Sequence, residues 1–163
     1  MLVLHLYPNK EKTMKILGVI LLLSLAILGK ACGQSLENIA SISFTKQSRG
    51  FIDEVVVSRD SARGVMENHR EPDNSKHYAA EVDRDSWSQL LMALQGVSLQ
   101  DIDGLQSPTT NRAHDGAIHS SIVITFEDGS TISHSFDDEK PHRDLQPLLD
   151  ALLQFRIPDQ PAK

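Results

Sequence analysis

The sequence predicts an α+β domain: an antiparallel sheet of four to six strands with two amphipathic helices packed on one face. Three observations carry this. Apolar and polar residues alternate over 37–46, 118–126 and 131–136, the period of half-buried strands. Apolar residues recur at helical spacing in 87–94 and 145–152. The strand connections are short and rich in turn-forming residues, so neighbours should pair as hairpins.

In 37–46, Ile42 and Phe44 share one face with Ala40, and Ile39 falls on the other with Ser41 and Ser43. Gln47-Ser48-Arg49-Gly50 reads as a turn, with Gly50 free to take positive φ. Phe51–Ser58 is a second strand, ending in the β-branched run Val55-Val56-Val57. Arg63–Asn68 and Lys76–Val82 are weaker strands, separated by the turn-rich stretch His69–Ser75. Asp85 is the expected cap of a first helix, whose buried stripe is Trp87, Leu90, Leu91 and Leu94 and whose stop is Gly96. A short further turn carries Leu99, Ile102 and Leu105.

Residues 106–116 form a long polar loop. The clearest strand follows, with Ile118, Ile122, Ile124 and Phe126 on one face. It returns through Glu127-Asp128-Gly129. A two-residue Asp-Gly turn would pair Ile124 with Ser133. A three-residue loop with Gly129 left-handed pairs Phe126 with Ser130 and Ile124 with Ile132, which keeps the apolar residues together. The last helix falls near 143–155, with Leu145, Leu148, Leu149 and Leu152 buried. Pro147 confines its start to 143–146.

Ahead of this domain stands an export signal. Lys10, Lys12 and Lys15 precede an apolar run over 16–28, and a small-residue segment follows. A bilayer-spanning helix needs about 20 apolar residues; this run is shorter, which favours a cleaved signal over a retained anchor. Met14 offers an alternative start that gives a signal of ordinary length. Leu28-Gly29-Lys30-Ala31-Cys32 resembles a bacterial lipobox, with Cys32 as the lipidated residue. Gly29 stands where Leu is usual, and Lys30 is unusual so near the cut. Cleavage after Gly33 is the rival, because Ala31-Cys32-Gly33 is a small-x-small segment. That outcome would leave the protein secreted or periplasmic. Lipidation is favoured because it accounts for a single cysteine in an exported chain. The expected organisation is thus a signal peptide over 1–31, a lipidation site and tether over 32–36, one domain over 37–157 and a flexible tail over 158–163.

Removing residues 1–31 takes away Lys10, Lys12, Lys15 and Lys30 against Glu11, so the formal charge falls from −6 to −9. An acidic domain without a clustered basic face argues against nucleic acid as a partner. One cysteine allows no internal disulfide, so the core must suffice by itself.

No catalytic residue and no cofactor or metal site is expected. The histidines after the signal, His69, His77, His114, His119, His134 and His142, lack the local spacing of metal ligands. His134 falls on an apolar strand face and reads as a satisfied core histidine. No G-x-S-x-G is present. Asp137 and Asp138 are adjacent, so in extended chain they point apart, and a solvated loop is the expectation. The best interaction candidate is Thr109–Gly116, which gathers Asn111, Arg112, His114 and Asp115. There Arg112 would hold a carboxylate or phosphate.

The run Ser107–Ala117, with Ser135-Phe136-Asp137-Asp138 and Pro141, resembles a group of uncharacterised small bacterial envelope lipoproteins. A fainter resemblance is to emfourin, a small inhibitor of thermolysin-like metalloproteases. It rests on Ser48-Arg49-Gly50-Phe51, the leucine-rich helix, an Asp-Gly strand entry and Leu145-Gln146-Pro147-Leu148-Leu149, and covers 39–153 loosely. Arg49 departs from the inhibitor's paired glycines, 69–76 is an insertion, and no inhibitory residue carries over. The resemblances imply a non-enzymatic, membrane-tethered binding module of the cell envelope, with an envelope protein or a small anionic ligand as partner. Protease inhibition is the alternative role, and a metal-dependent hydrolase built from the His and Asp residues is the alternative class.

Overall fold

Period-two alternation becomes six strands in the computed structural model, which describes residues 34–111 and 116–156. They are β1 (Ile39–Ser48), β2 (Phe51–Ser58), β3 (Ser61–Asn68), β4 (Lys76–Glu81), β5 (His119–Phe126) and β6 (Thr131–Asp137). All pairs are antiparallel, in the order β4-β3-β2-β1-β5-β6. Two α-helices follow the leucine stripes: α1 (Arg84–Ala93) and α2 (Gln146–Leu153). The expected α+β class stands, with both weaker strands formed. The signal segment 1–31, Cys32 and the tail 158–163 lie outside the described residues.

One face of the sheet carries Ile42, Phe44, Val55, Val57, Ile122, Ile124, Phe126, Ile132 and Phe136, all buried. Trp87, Leu90 and Leu94 of α1 and Leu148, Leu149 and Leu152 of α2 join them in one core. Leu91 is only partly buried at its margin. The other face, with Ser41, Ser43, Thr45, Val56, Val123 and Thr125, stays partly exposed.

Three details depart from simple periodicity. Ile39 pairs with Phe126 and Ser41 with Thr125, so two steps on β1 match one on β5. This bulge at Ala40 turns Ile39 onto the core face beside Ile42, where unbroken alternation puts it on the other side. Ile118 precedes β5 and is exposed, so Ser120 rather than Ile118 begins the buried row. Asp83, not Asp85, caps α1: its Oδ1 accepts the Ser86 N–H at 2.7 Å and its Oδ2 the Ser86 hydroxyl at 3.1 Å. Those bonds hold the Asp83 carboxyl below its ordinary value. At the last helix, a 3-10 turn over Arg143–Leu145 precedes α2, and Pro147 lies in the first turn as its missing donor requires.

The β5–β6 hairpin takes the three-residue loop. Ile124 stands opposite Ile132, Phe126 N donates to Ser130 O at 2.9 Å, and Gly129 has φ +82°. Gly129→Ala is expected to destabilise the domain by about 1 kcal/mol, because a Cβ strains that backbone region. Denaturant titration measures it; an unchanged midpoint would show that the loop relaxes freely.

Candidate functional site

Antiparallel pairing decides which loops meet. Ser48 pairs with Phe51, and Phe51 pairs in turn with Asn68, so the exit of β3 lies beside the β1–β2 turn. His69 N donates to Gly50 O at 2.8 Å and fastens the two. On the other side of β1, Gln47 pairs with His119, which brings the entry to β5 to the same end. The result is a polar surface hollow of about 490 Å³ lined by Ser48, Arg49, Gly50, Phe51, Asn68, Arg70 and Gly116. Asn68 Oδ1 accepts the Arg70 N–H at 3.0 Å and shapes the chain there. Neither Arg49 nor Arg70 has an ion-pair partner among the described residues.

The sequence-predicted loop reaches this end through Gly116. Of its residues, Asn111 is described; Arg112, His114 and Asp115 lie outside the described residues. Asn111 does not open onto the hollow by its backbone: its N–H donates to Asp137 Oδ2 at 2.6 Å. The Thr109 hydroxyl donates to the same oxygen. Asp137 is therefore buried, which corrects the expectation of a solvated Asp137-Asp138 loop. Asp138 does point away, at φ +55°, and pairs with Lys46 at 2.9 Å. The two acids divide the work. Asp137 pins the start of the long loop to β6, and Asp138 closes the hairpin end onto β1.

A second charged group sits beneath the same turn, on the core face. Lys46 and Asp53 are opposite each other in the β1–β2 ladder. Arg156, just past α2, donates through Nε to Asp53 Oδ2 at 2.7 Å and through a second nitrogen to the same oxygen. Arg156 also bonds Glu139 at 3.0 Å, and Glu139 accepts from Lys46 at 3.0 Å. Burial alone would push the Glu139 carboxyl up. The Lys46 hydrogen bond and the Arg156 charge more than reverse this and hold it below its ordinary value. Burial, aided by the charge of Asp53, pushes the Tyr78 hydroxyl up to about 12. Tyr78 lies across Gly64, where any Cβ would meet its ring. Lys46, Asp53, Glu139 and Arg156 are paired with one another, which makes them a fastening rather than an open site, while the buried Tyr78 hydroxyl has no hydrogen-bond partner among the described residues.

Among the described residues, the histidines fall at several separate places in the fold. His69 and His77 approach Glu67 at 3.6 and 3.8 Å. His134 is buried, stacks on Phe136, and accepts the His142 N–H at Nε2 over 3.1 Å. Among the described residues, no three His, Cys, Asp or Glu side chains are placed to hold a metal ion.

Compared with protein-family models and with curated proteins, the chain matches none. The site is accordingly read from its own chemistry. Arg49 and Arg70 were not singled out by sequence reasoning. Their signal lay in the register: once β2 and β3 are paired from their turn, both arginines fall at one end.

Proposed function

We propose that this chain is an exported, lipid-anchored binding module of the bacterial envelope, without catalytic activity of its own. Cys32 carries the anchor. The partner is met at the end of the sheet where the β1–β2 turn, the exit of β3 and Gly116, ahead of β5, come together. The observation that supports this most is the hollow itself. It is polar, it is open, and it carries two guanidiniums that no described carboxylate neutralises, on a domain of formal charge −9. Arg112 is a further cation in the sequence segment that leads into Gly116. A cationic hollow in an acidic surround focuses anionic groups.

Labelled palmitate tests the anchor. The wild-type chain is expected to incorporate it and to stay with membranes through a high-salt wash, because several acyl chains hold where one does not. Cys32→Ser abolishes both. A mature chain beginning at Gln34 would show cleavage after Gly33 instead. Binding is tested by capture from envelope extracts: Arg112→Ala should fold normally and lose the partners that the wild-type chain retains. Equal capture by both would remove the loop from the site.

A further inference from the structure

We propose that the hollow between Arg49 and Arg70 is a binding site for a small soluble phosphate ester, with the two guanidiniums as its anchors. The inference rests on the binding-module reading and names the ligand class of that site. Both arginines line one hollow from separate loops, Arg49 from the β1–β2 turn and Arg70 from the segment after β3. The frame under them is fixed by the Gly50–His69 and Asn68–Arg70 bonds. Acids outnumber bases in this chain, and Lys46, Arg59, Arg143 and Arg156 each have a carboxylate partner. Arg49 and Arg70 have none among the described residues, as is also true of Arg63, Lys76, Arg84 and Lys140; of these six, Arg49 and Arg70 line one hollow together, which leaves two charges there for a ligand.

The choice of phosphate follows from donor arithmetic. Each guanidinium presents a fork of donors suited to two oxygens. One carboxylate has two oxygens and a single charge. A phosphate monoester has three terminal oxygens and a charge near −2, enough to engage both forks. The hollow, about 490 Å³, exceeds a bare phosphate and has room for a small organic group, against the half-buried Phe51. Ser48 and the Asn68 side chain supply further polar contacts at its wall. A soluble ligand is favoured over a lipid headgroup because an anionic bilayer repels a domain of formal charge −9.

The test uses the full chain purified in detergent, with inorganic phosphate and glycerol phosphate as probes. Saturable amide shifts are expected at Gly50, Arg70 and Gly116, with glycerol phosphate at least as tight as phosphate. Arg49→Gln and Arg70→Gln should each weaken binding about tenfold while the melting curve is unchanged, since each loses a charge-assisted bond from an exposed side chain. The proposal falls if the shifts never saturate or if the double variant binds as well as the wild type. Tighter binding of succinate than of phosphate would make this a carboxylate site. Arginine-dependent sedimentation with phosphatidylglycerol vesicles, with no response to free phosphate, would make it a headgroup site; either overturns the assignment. Capture of an envelope partner through Arg112 is read separately. Its failure with phosphate binding intact removes the wider reading and leaves this one.

Discussion

Leu148→Ala is expected to lower the unfolding free energy by about 2–5 kcal/mol. Leu148 is fully buried in the row that α2 presents to the sheet, among Leu145, Leu149 and Leu152. The lost methyl groups cost their transfer energy, and the rigid sheet beneath cannot close over the space. Leu153, on the same helix but only partly buried, is the control, and its truncation should cost clearly less. Urea titration should show a lower midpoint with an unchanged slope. A loss well under 1 kcal/mol would mean that α2 is not packed on this face.

Arg156→Gln is expected to cost about 3 kcal/mol, the lower end of the range for breaking a buried ion pair. Asp53 is buried at 3% exposure and loses both guanidinium bonds. Arg156 is itself 27% exposed, so water can partly replace it, which keeps the cost from the upper end. The variant also changes the acid limb of the stability curve. Burial would raise the Glu139 carboxyl above its ordinary value of 4.5, but Lys46 and Arg156 outweigh it and hold it below. A depressed carboxyl stabilises the fold above its unfolded value and loses that contribution as pH falls through the folded value. Wild-type stability should therefore drop on acidification below about pH 4.5. In Arg156→Gln, Glu139 keeps only Lys46, so its share of this drop shrinks. Denaturation series at pH 3 to 7 would measure it, and an identical acid dependence in both proteins would remove Arg156 from the Glu139 environment.

The hairpin of β5 and β6 was legible because two independent signals agree there. Gly129 needs a left-handed turn, and only that turn keeps Ile124 and Ile132 on one side. Ile39 was not legible. A bulge leaves no trace in alternation except a residue that seems to face wrongly, and Ala40 fits either side. The cap of α1 was misplaced by two residues because Asp83 and Asp85 are equally good acceptors in sequence; the chain's exit from β4 chooses between them. Asp137 was read as solvated because its partners, Thr109 and Asn111, lie far back along the chain. The pairing of Arg49 with Arg70 was hidden for the same reason. Each arginine sits in an ordinary turn, and only the ladder from Ser48 to Asn68 joins them.

The strand order also sets a timetable. β1 through β4 form a meander of consecutive hairpins, closed by short-range contacts as soon as each strand exists. The other edge of β1 waits for β5, which must arrive from the far side of α1 and the long loop to pair Gln47 with His119. Contacts of that sequence separation are slow to form. Until then a ten-residue strand rich in Ser and Ile presents an unsatisfied row of backbone groups to its surroundings. By sequence separation, the unpaired edge of β1 is the one guarded last against mispairing, because β5 is the more distant of its two partners.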